Sequence, residues 1–241
     1  MTNPLIQKLE RHGILFQDER QILQQIIART VVYKPREEIA HGGSSLSYSS
    51  LIVSGFAVRQ NHSPEGQRQI TALHIPGDFA DLHSFLLKPL DDGVVALTTC
   101  TVALVAHSDL KEITRCFPYL TRVLWFCTLV DAAIHRAWLT TLGRMEARAR
   151  LAHFLCELRD RLDSVGLVNE NSFEMPITQE ELGDAFGIST VHVNRVLQEL
   201  RSEGLITSQG KLMIINDWAR LQEAAQYNPE YLHVDQKIER D

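Results

Sequence analysis

The sequence predicts an α+β fold in two modest units, and three observations carry that expectation. Short β-prone runs separated by Pro, Gly and Ser clusters fill residues 28–108. Apolar residues recur at three- and four-residue spacing from 117 to 142, and between 178 and 215 two short helical patterns are followed by a hairpin pattern. The first predicts an N-terminal antiparallel β jelly-roll barrel, the second one long helix, the third a C-terminal winged helix-turn-helix. A chain of 241 residues with 44% hydrophobic content is long enough to give each unit a core.

Taken in order, Pro4 to about Ile27 reads as helical, with Leu5, Leu9, Leu15, Ile22, Leu23 and Ile26 at helical spacing and Gly13 interrupting it. The runs TVVYKP, SLIVSGFAVRQ, RQITALHI and VVALTTCTVALVAH read as barrel strands, and the Ser-rich GGSSLSYSS as a turn leading into a strand. Phe117-Pro118 opens the long helix. Leu120, Val123, Cys127, Val130, Ile134, Ala137 and Thr141 form a seam suited to a coiled coil, the expected dimer interface of a long dimerisation helix. About 24 residues at about 1.5 Å each give a rod of roughly 36 Å, close to the roughly 34–36 Å between half-sites one DNA turn apart. Trp125, Phe126 and Leu129 form another apolar side, suited to lying along the barrel. Gly143 breaks the pattern and is the expected hinge, and a helix from about Arg144 to Val165 begins the last unit. The expected division is 1–116 for the barrel, 117–142 for the dimerisation helix, 143–225 for the winged helix-turn-helix and 226–241 for a C-terminal tail.

The stretch TQEELGDAFG-ISTVHVNRVLQELRSEGLITSQGK, 178–211, carries the function. Thr178 with Glu181 is a capping box that starts one helix, Gly187 permits a tight turn, and Ser189 caps a second helix. In that second helix Val193, Val196, Leu197 and Leu200 point inward. The opposite face carries Val191, Asn194, Arg195, Gln198 and Ser202, flanked by Thr190 and His192. Arginine suits a guanine edge, asparagine or glutamine suits adenine, and an exposed apolar side chain suits the thymine methyl, so the implied partner is double-stranded DNA. Leu205 to Thr207 and Leu212 to Ile215 predict the wing, with Lys211 at its turn, and Asn216 the cap of a closing helix through Trp218 and Leu221. Lys211 and the amide groups near Thr178 and Gln179 are expected to meet phosphates.

Composition narrows the class. A net charge of -6 places any DNA affinity in local positions, Arg195, Arg201 and Lys211, rather than in a basic chain, which favours a sequence-specific binder. Cys100, Cys116, Cys127 and Cys156 stand singly, without the close pairs of a metal centre or the density of a disulfide scaffold, and read as reduced thiols. No export signal and no run of about 18 apolar residues is present, so the expected location is cytoplasmic, without a membrane. His74, His83 and His107 are isolated on the barrel and read as structural residues, and no metal or cofactor is assigned. The alternative reading, a cupin-like barrel enzyme with an appended helical domain, calls for clustered ligands such as His-x-His with a carboxylate, and no such cluster or catalytic constellation is evident.

A PGDF turn at 76–79 ahead of an irregular segment, a strand ending in TTCTVALV, a long helix and then the helix-turn-helix resemble the Crp/Fnr family of bacterial transcription regulators over nearly the whole chain. The resemblance implies an effector domain of the cyclic-nucleotide-binding type, a second copy of the chain and RNA polymerase as partners, and an unidentified small-molecule effector. The pocket it implies falls within 75–97, with Asp81, His83, Lys88, Asp91 and Asp92 as candidate lining residues. Members that bind cyclic nucleotides hold the phosphate with a Gly-Glu pair and an Arg followed by a small hydroxyl residue. This chain has no arginine between Asp78 and Ala106, and Asp91 and Asp92 oppose an anion, so cyclic AMP is not expected to bind in the usual mode. Residues 1–40 contain no cysteine, which excludes the family's N-terminal cysteine cluster for oxygen sensing. Thr190-Val191 stands where the family carries an Arg-Glu pair, so its common target sequence is not carried over, and an interaction module that has lost DNA binding stays open.

Overall fold

The structure, a computed structural model, describes residues 3–240. Two helices open the chain, α1 (Pro4–His12), capped by the Asn3 side chain, and α2 (Gln17–Ile26). Seven strands follow: β1 (Thr30–Tyr33), β2 (Glu38–Ala40), β3 (Tyr48–Ser54), β4 (Ala57–His62), β5 (Arg68–His74), β6 (Gly93–Ala96) and β7 (Cys100–Ala106). They pair antiparallel throughout, as a β1-β7-β3 sheet facing a β2-β6-β4-β5 sheet. Ile39, Ile52, Ala57, Val94 and Val102 fill the space between the sheets. The barrel read from the alternating runs is therefore present, and GGSSLSYSS does lead from a turn into β3.

An element not foreseen comes next, α3 (His107–Cys116), which buries only Leu110 and Ile113. Two apolar positions in ten residues leave little periodicity to detect. The long helix, α4, runs Pro118–Arg144, with proline at its first turn where a missing N–H costs nothing. It does not break at Gly143, which continues the last turn. The break is at Met145, with ψ 143°, so the corner comes two residues later than the glycine signal suggests.

The last unit holds α5 (Ala147–Ser164), β8 (Val168–Asn169), β9 (Ser172–Glu174), α6 (Gln179–Phe186), α7 (Thr190–Ser202), β10 (Ile206–Gln209), β11 (Leu212–Ile215) and α8 (Trp218–Ala225). Its sheet has the order β10-β11-β9-β8. The cap of α8 is Asp217, which accepts from the Arg220 N–H at 3.1 Å, and Asn216 donates instead to Thr207 Oγ1 at 2.9 Å. The cap thus lies one residue beyond Asn216, because both side chains suit that role.

The packing of α4 within the protomer draws on both of its apolar stripes, with Phe126 half-buried against His12 and His233. Leu120 and Val123 are 0% exposed and Thr141 4%, and Cys127, Val130 and Ile134 look into the space between helix and barrel, with Ala137 half-buried beside them. The N-terminal part of the predicted dimer seam, Leu120, Val123 and Cys127, thus packs on the protein's own α1, α2 and barrel, while Val130, Ile134 and Ala137 stay half-buried. About half a turn round the helix, Trp125 is 67% exposed, Leu129 53% and Leu139 72%. Spacing shows that a helix has two apolar stripes, not which of them the rest of the chain will cover.

Residues beyond α8 do not trail away. Tyr227 Oη donates to Asp160 at 2.9 Å, Tyr231 Oη to Glu157 at 2.8 Å, and a 3-10 turn at Pro229–Leu232 packs on α4. The chain then reaches α1, where the Ile238 N–H donates to the His12 carbonyl at 2.8 Å, and Arg240 pairs with buried Glu19 at 2.5 Å. Among the described residues no helix is long and apolar enough to cross a membrane.

Candidate nucleic-acid interface

The helix-turn-helix is built as its residue types require. Thr178 Oγ1 accepts from the Glu181 N–H at 3.2 Å while Glu181 accepts from the Thr178 N–H at 2.8 Å, which closes the capping box at the start of α6. The helix ends on Gly187 at φ 64°, a left-handed position that glycine occupies without strain. Gly183 faces the returning chain so closely that a Cβ there would sit 2.6 Å from the Ile188 carbonyl oxygen. Ser189 Oγ then accepts from the His192 N–H at 3.2 Å and starts α7.

Val193, Val196, Leu197 and Leu200 of α7 are at most 3% exposed and join α5 and α6 in one core. That burial fixes what faces out. Val191 is 80% exposed, and Thr190, Asn194, Arg195 and Gln198 are exposed beside it, with His192 half-buried. Val191 is the large apolar side chain on this otherwise polar face, where it forgoes about 1.5–3 kcal/mol of burial. Arg195 extends between His192, whose Nε2 lies 3.3 Å from Nη2, and Glu199, 3.9 Å from Nε. Asn194 Nδ2 donates to Gln179 Oε1 at 3.0 Å, so the second helix is tied to the first turn of α6.

Lys211 stands exposed at the β10–β11 turn, next to Gly210 at φ 61°. Arg201, expected to serve DNA affinity, is spent on the hairpin: its Nε and Nη2 donate to Ser208 Oγ at 3.1 and 2.9 Å and brace α7 against the wing. Ser189 and Thr178 are also exposed, and Gln179 is half-buried.

The expected effector set is not brought together. Asp81 is 0% exposed, its carboxylate accepting from the Ser50 N–H and Oγ, and burial pushes its pKa up to about 6. Asp92 accepts from Asn61 Nδ2 at 2.8 Å and Thr71 Oγ1 at 3.2 Å, which pins the segment to β4 and β5. Lys88 and Asp91 are on the surface, Asp91 3.6 Å from His83. Of the five only His83 reaches the cavity between barrel and α4.

That cavity is lined instead by residues scattered along the chain. Arg59, 8% exposed, donates to the Ala80 carbonyl at 2.6 Å and meets Asp131 of α4 at 3.5 Å and His135 Nε2 at 3.3 Å. Asp78 is held by Lys8 and by Arg161 Nη2 at 2.9 Å, and these cations keep its carboxyl well below the usual range despite the burial that opposes ionisation. Arg161 also meets Glu157 at 3.2 Å. About 40 Å3 is open there, room for a few waters. Burial lowers the His74 pKa to about 3, so its imidazole is neutral. Among the described residues no group of three or more His, Cys, Asp or Glu is placed to hold a metal ion.

Comparison with known proteins agrees with this architecture. A family model of the Crp-like helix-turn-helix domain matches residues 149–224, and one of the cyclic nucleotide-binding domain matches 30–115. The chain is 27% identical over 197 residues to the transcriptional activator protein FnrL of Cereibacter sphaeroides, covering 80% of this chain and 79% of that protein. It is 26% identical over 203 residues to the anaerobic regulatory protein of Haemophilus influenzae, covering 84% and 79%. Among solved structures, FixK2 from Bradyrhizobium japonicum matches with a TM-score of 0.72 at 25% identity, over 81% of this chain and 96% of that one.

Proposed function

Because the chain belongs to the Crp/Fnr family of bacterial transcription regulators, with a helix-turn-helix DNA-binding domain, we propose that it acts as a homodimer on a palindromic operator. Each protomer places α7 in the major groove, one DNA turn from its partner's. The observation that carries this reading is the outward face of α7, where exposed Val191 stands among Asn194, Arg195 and Gln198 on a chain of net charge -6. Arg195 reads guanine, Asn194 and Gln198 suit adenine, and Val191 touches a thymine methyl. Thr178, Gln179, Ser189, Thr190, His192 and Lys211 position the protein on phosphates and at the groove edge.

The dimer forms along Trp125, Leu129, Ala132 and Leu139, spaced by four, three and seven residues on the more exposed side of α4. At about 1.5 Å per residue the helix spans roughly 40 Å, enough to set two reading helices about 34–36 Å apart. RNA polymerase is the partner through which such a regulator acts, in the cytoplasm, and no catalytic role is assigned. The internal ion pairs of the barrel cavity support the view that cyclic AMP does not occupy it in the usual mode.

Selection from randomised duplexes tests the function. It should enrich two inverted half-sites with centres about 10 base pairs apart. Enrichment of a single unpaired site, or of nothing, is the opposite result. In the same assay Lys211→Ala should weaken binding to all sequences alike and reduce the slope of log affinity against log salt by roughly 1 per subunit. A preference that changes at one base position with an unaltered slope would take Lys211 off the phosphates.

A further inference from the structure

The hydrogen bond from Asn194 Nδ2 to Gln179 Oε1, 3.0 Å long, joins residues fifteen apart on two different helices. It is the direct polar link between the first turn of α6 and the outward face of α7. We propose that Gln179 is a positioning residue for base recognition: it converts a phosphate contact into a fixed orientation of the Asn194 amide, and so sets a preference for adenine at one position of each half-site. This rests on α7 being the recognition helix.

The chemistry of the two amides supports it. Asn194 Nδ2 carries two protons, and one bond to Gln179 leaves the other, together with Oδ1, which takes no hydrogen bond from the described residues. That remaining edge, acceptor beside donor, matches adenine N6–H and N7. Turned over, the amide offers donor and acceptor in exchanged places and the match is lost. A lone asparagine on an exposed helix turns over freely.

A pair of amides bonded to each other turns over only together, so whatever fixes Gln179 fixes Asn194. Gln179 is the first residue of α6, where the N–H groups left free by the capping box are the ones a phosphate would meet. A phosphate oxygen only accepts, so Gln179 must present Nε2 to it and keep Oε1 towards Asn194. Phosphate, Gln179, Asn194 and adenine then form one chain of donors and acceptors with a single allowed polarity. Val191, one turn before Asn194, and Arg195, the residue after it, read their own positions without this support.

The test compares base preference with overall affinity, using duplexes selected by the wild-type protein and random duplex of the same length. Gln179→Ala should lower discrimination at one position per half-site by about fivefold, the worth of one modest hydrogen bond. Discrimination at the Arg195 position should stay unchanged. Asn194→Ala should abolish preference at that same position, and Gln179→Ala added to it should change the preference no further. Gln179→Glu separates the two roles: its carboxylate still accepts from Asn194 Nδ2 but cannot donate to phosphate, so affinity for all duplexes should fall while preference at that position exceeds that of Gln179→Ala. Equal losses on selected and random duplex for Gln179→Ala, an unchanged preference in Asn194→Ala, or independent effects of the two changes would overturn the proposal. A wild-type protein without any duplex preference would instead overturn the function it rests on.

Discussion

Leu129→Asp should leave a folded monomer that has lost operator binding. Leu129 is 53% exposed in the protomer, between Trp125 and Leu139, so its replacement costs the isolated chain little. Across a coiled-coil interface the same change sets two carboxylates against each other in an apolar seam. Once the protomers separate, each α7 binds one half-site alone, and losing the second contact should lower operator affinity by about a hundredfold or more. Sedimentation measures the first effect, fluorescence anisotropy the second, and an unchanged melting temperature at low concentration shows that the protomer is intact. A dimer of normal affinity would place the interface elsewhere. Val123→Asp tests the opposite face: 0% exposed within the protomer, it should unfold the chain rather than dissociate it.

Arg161→Ala should have the largest effect on stability. Arg161 bridges Asp78 in the barrel to Glu157 on its own helix, and its Nη2 also donates to the Leu73 carbonyl at 2.6 Å. Glu157 is 0% exposed and Asp78 7%, so removal of the guanidinium leaves two buried carboxylates with less than they need. Breaking a buried pair from one side costs about 3–5 kcal/mol. For a chain of this size that corresponds to a fall in melting temperature of about 6–20 °C. Asp78, whose carboxyl is held low, contributes stability above its ordinary pKa that is lost on acidification, so Arg161→Ala should also shift the acid transition to higher pH. A variant that melts with the wild type at neutral pH would show that the network is dispensable.

What could be read from the sequence, and what could not, divides along physical lines. Caps and turns were legible because they are local: Thr178 with Glu181, Gly187, and Ser189 each determine a backbone event within four residues, and the structure has all of them. The inward stripe of α7 was legible because the opposite face is strongly polar apart from Val191. On α4 both stripes are apolar, and only the packing of α1, α2 and the barrel decides that Leu120 and Val123 go inside and Trp125 and Leu139 stay out. The cavity network was invisible because Lys8, Arg59, Asp78, Asp131 and Arg161 come from four elements and a turn with no common spacing. Asp81, His83, Lys88, Asp91 and Asp92 drew attention for the opposite reason, being neighbours in sequence. Their side chains diverge along an irregular segment, and two of the carboxylates fasten it to strands. The anchoring of Arg240 at Glu19 likewise joins the two ends of the chain and leaves no local trace.

The central claim is that α7 reads bases, and dissociation constants for the wild type and Arg195→Ala on the selected operator and on random duplex, at one salt concentration, test it most directly. The variant should lose about 1–3 kcal/mol per half-site on the operator and almost nothing on random duplex, with preference relaxed at one position of each half-site. Equal losses on both duplexes would show Arg195 to be a phosphate contact and would contradict the reading of that face.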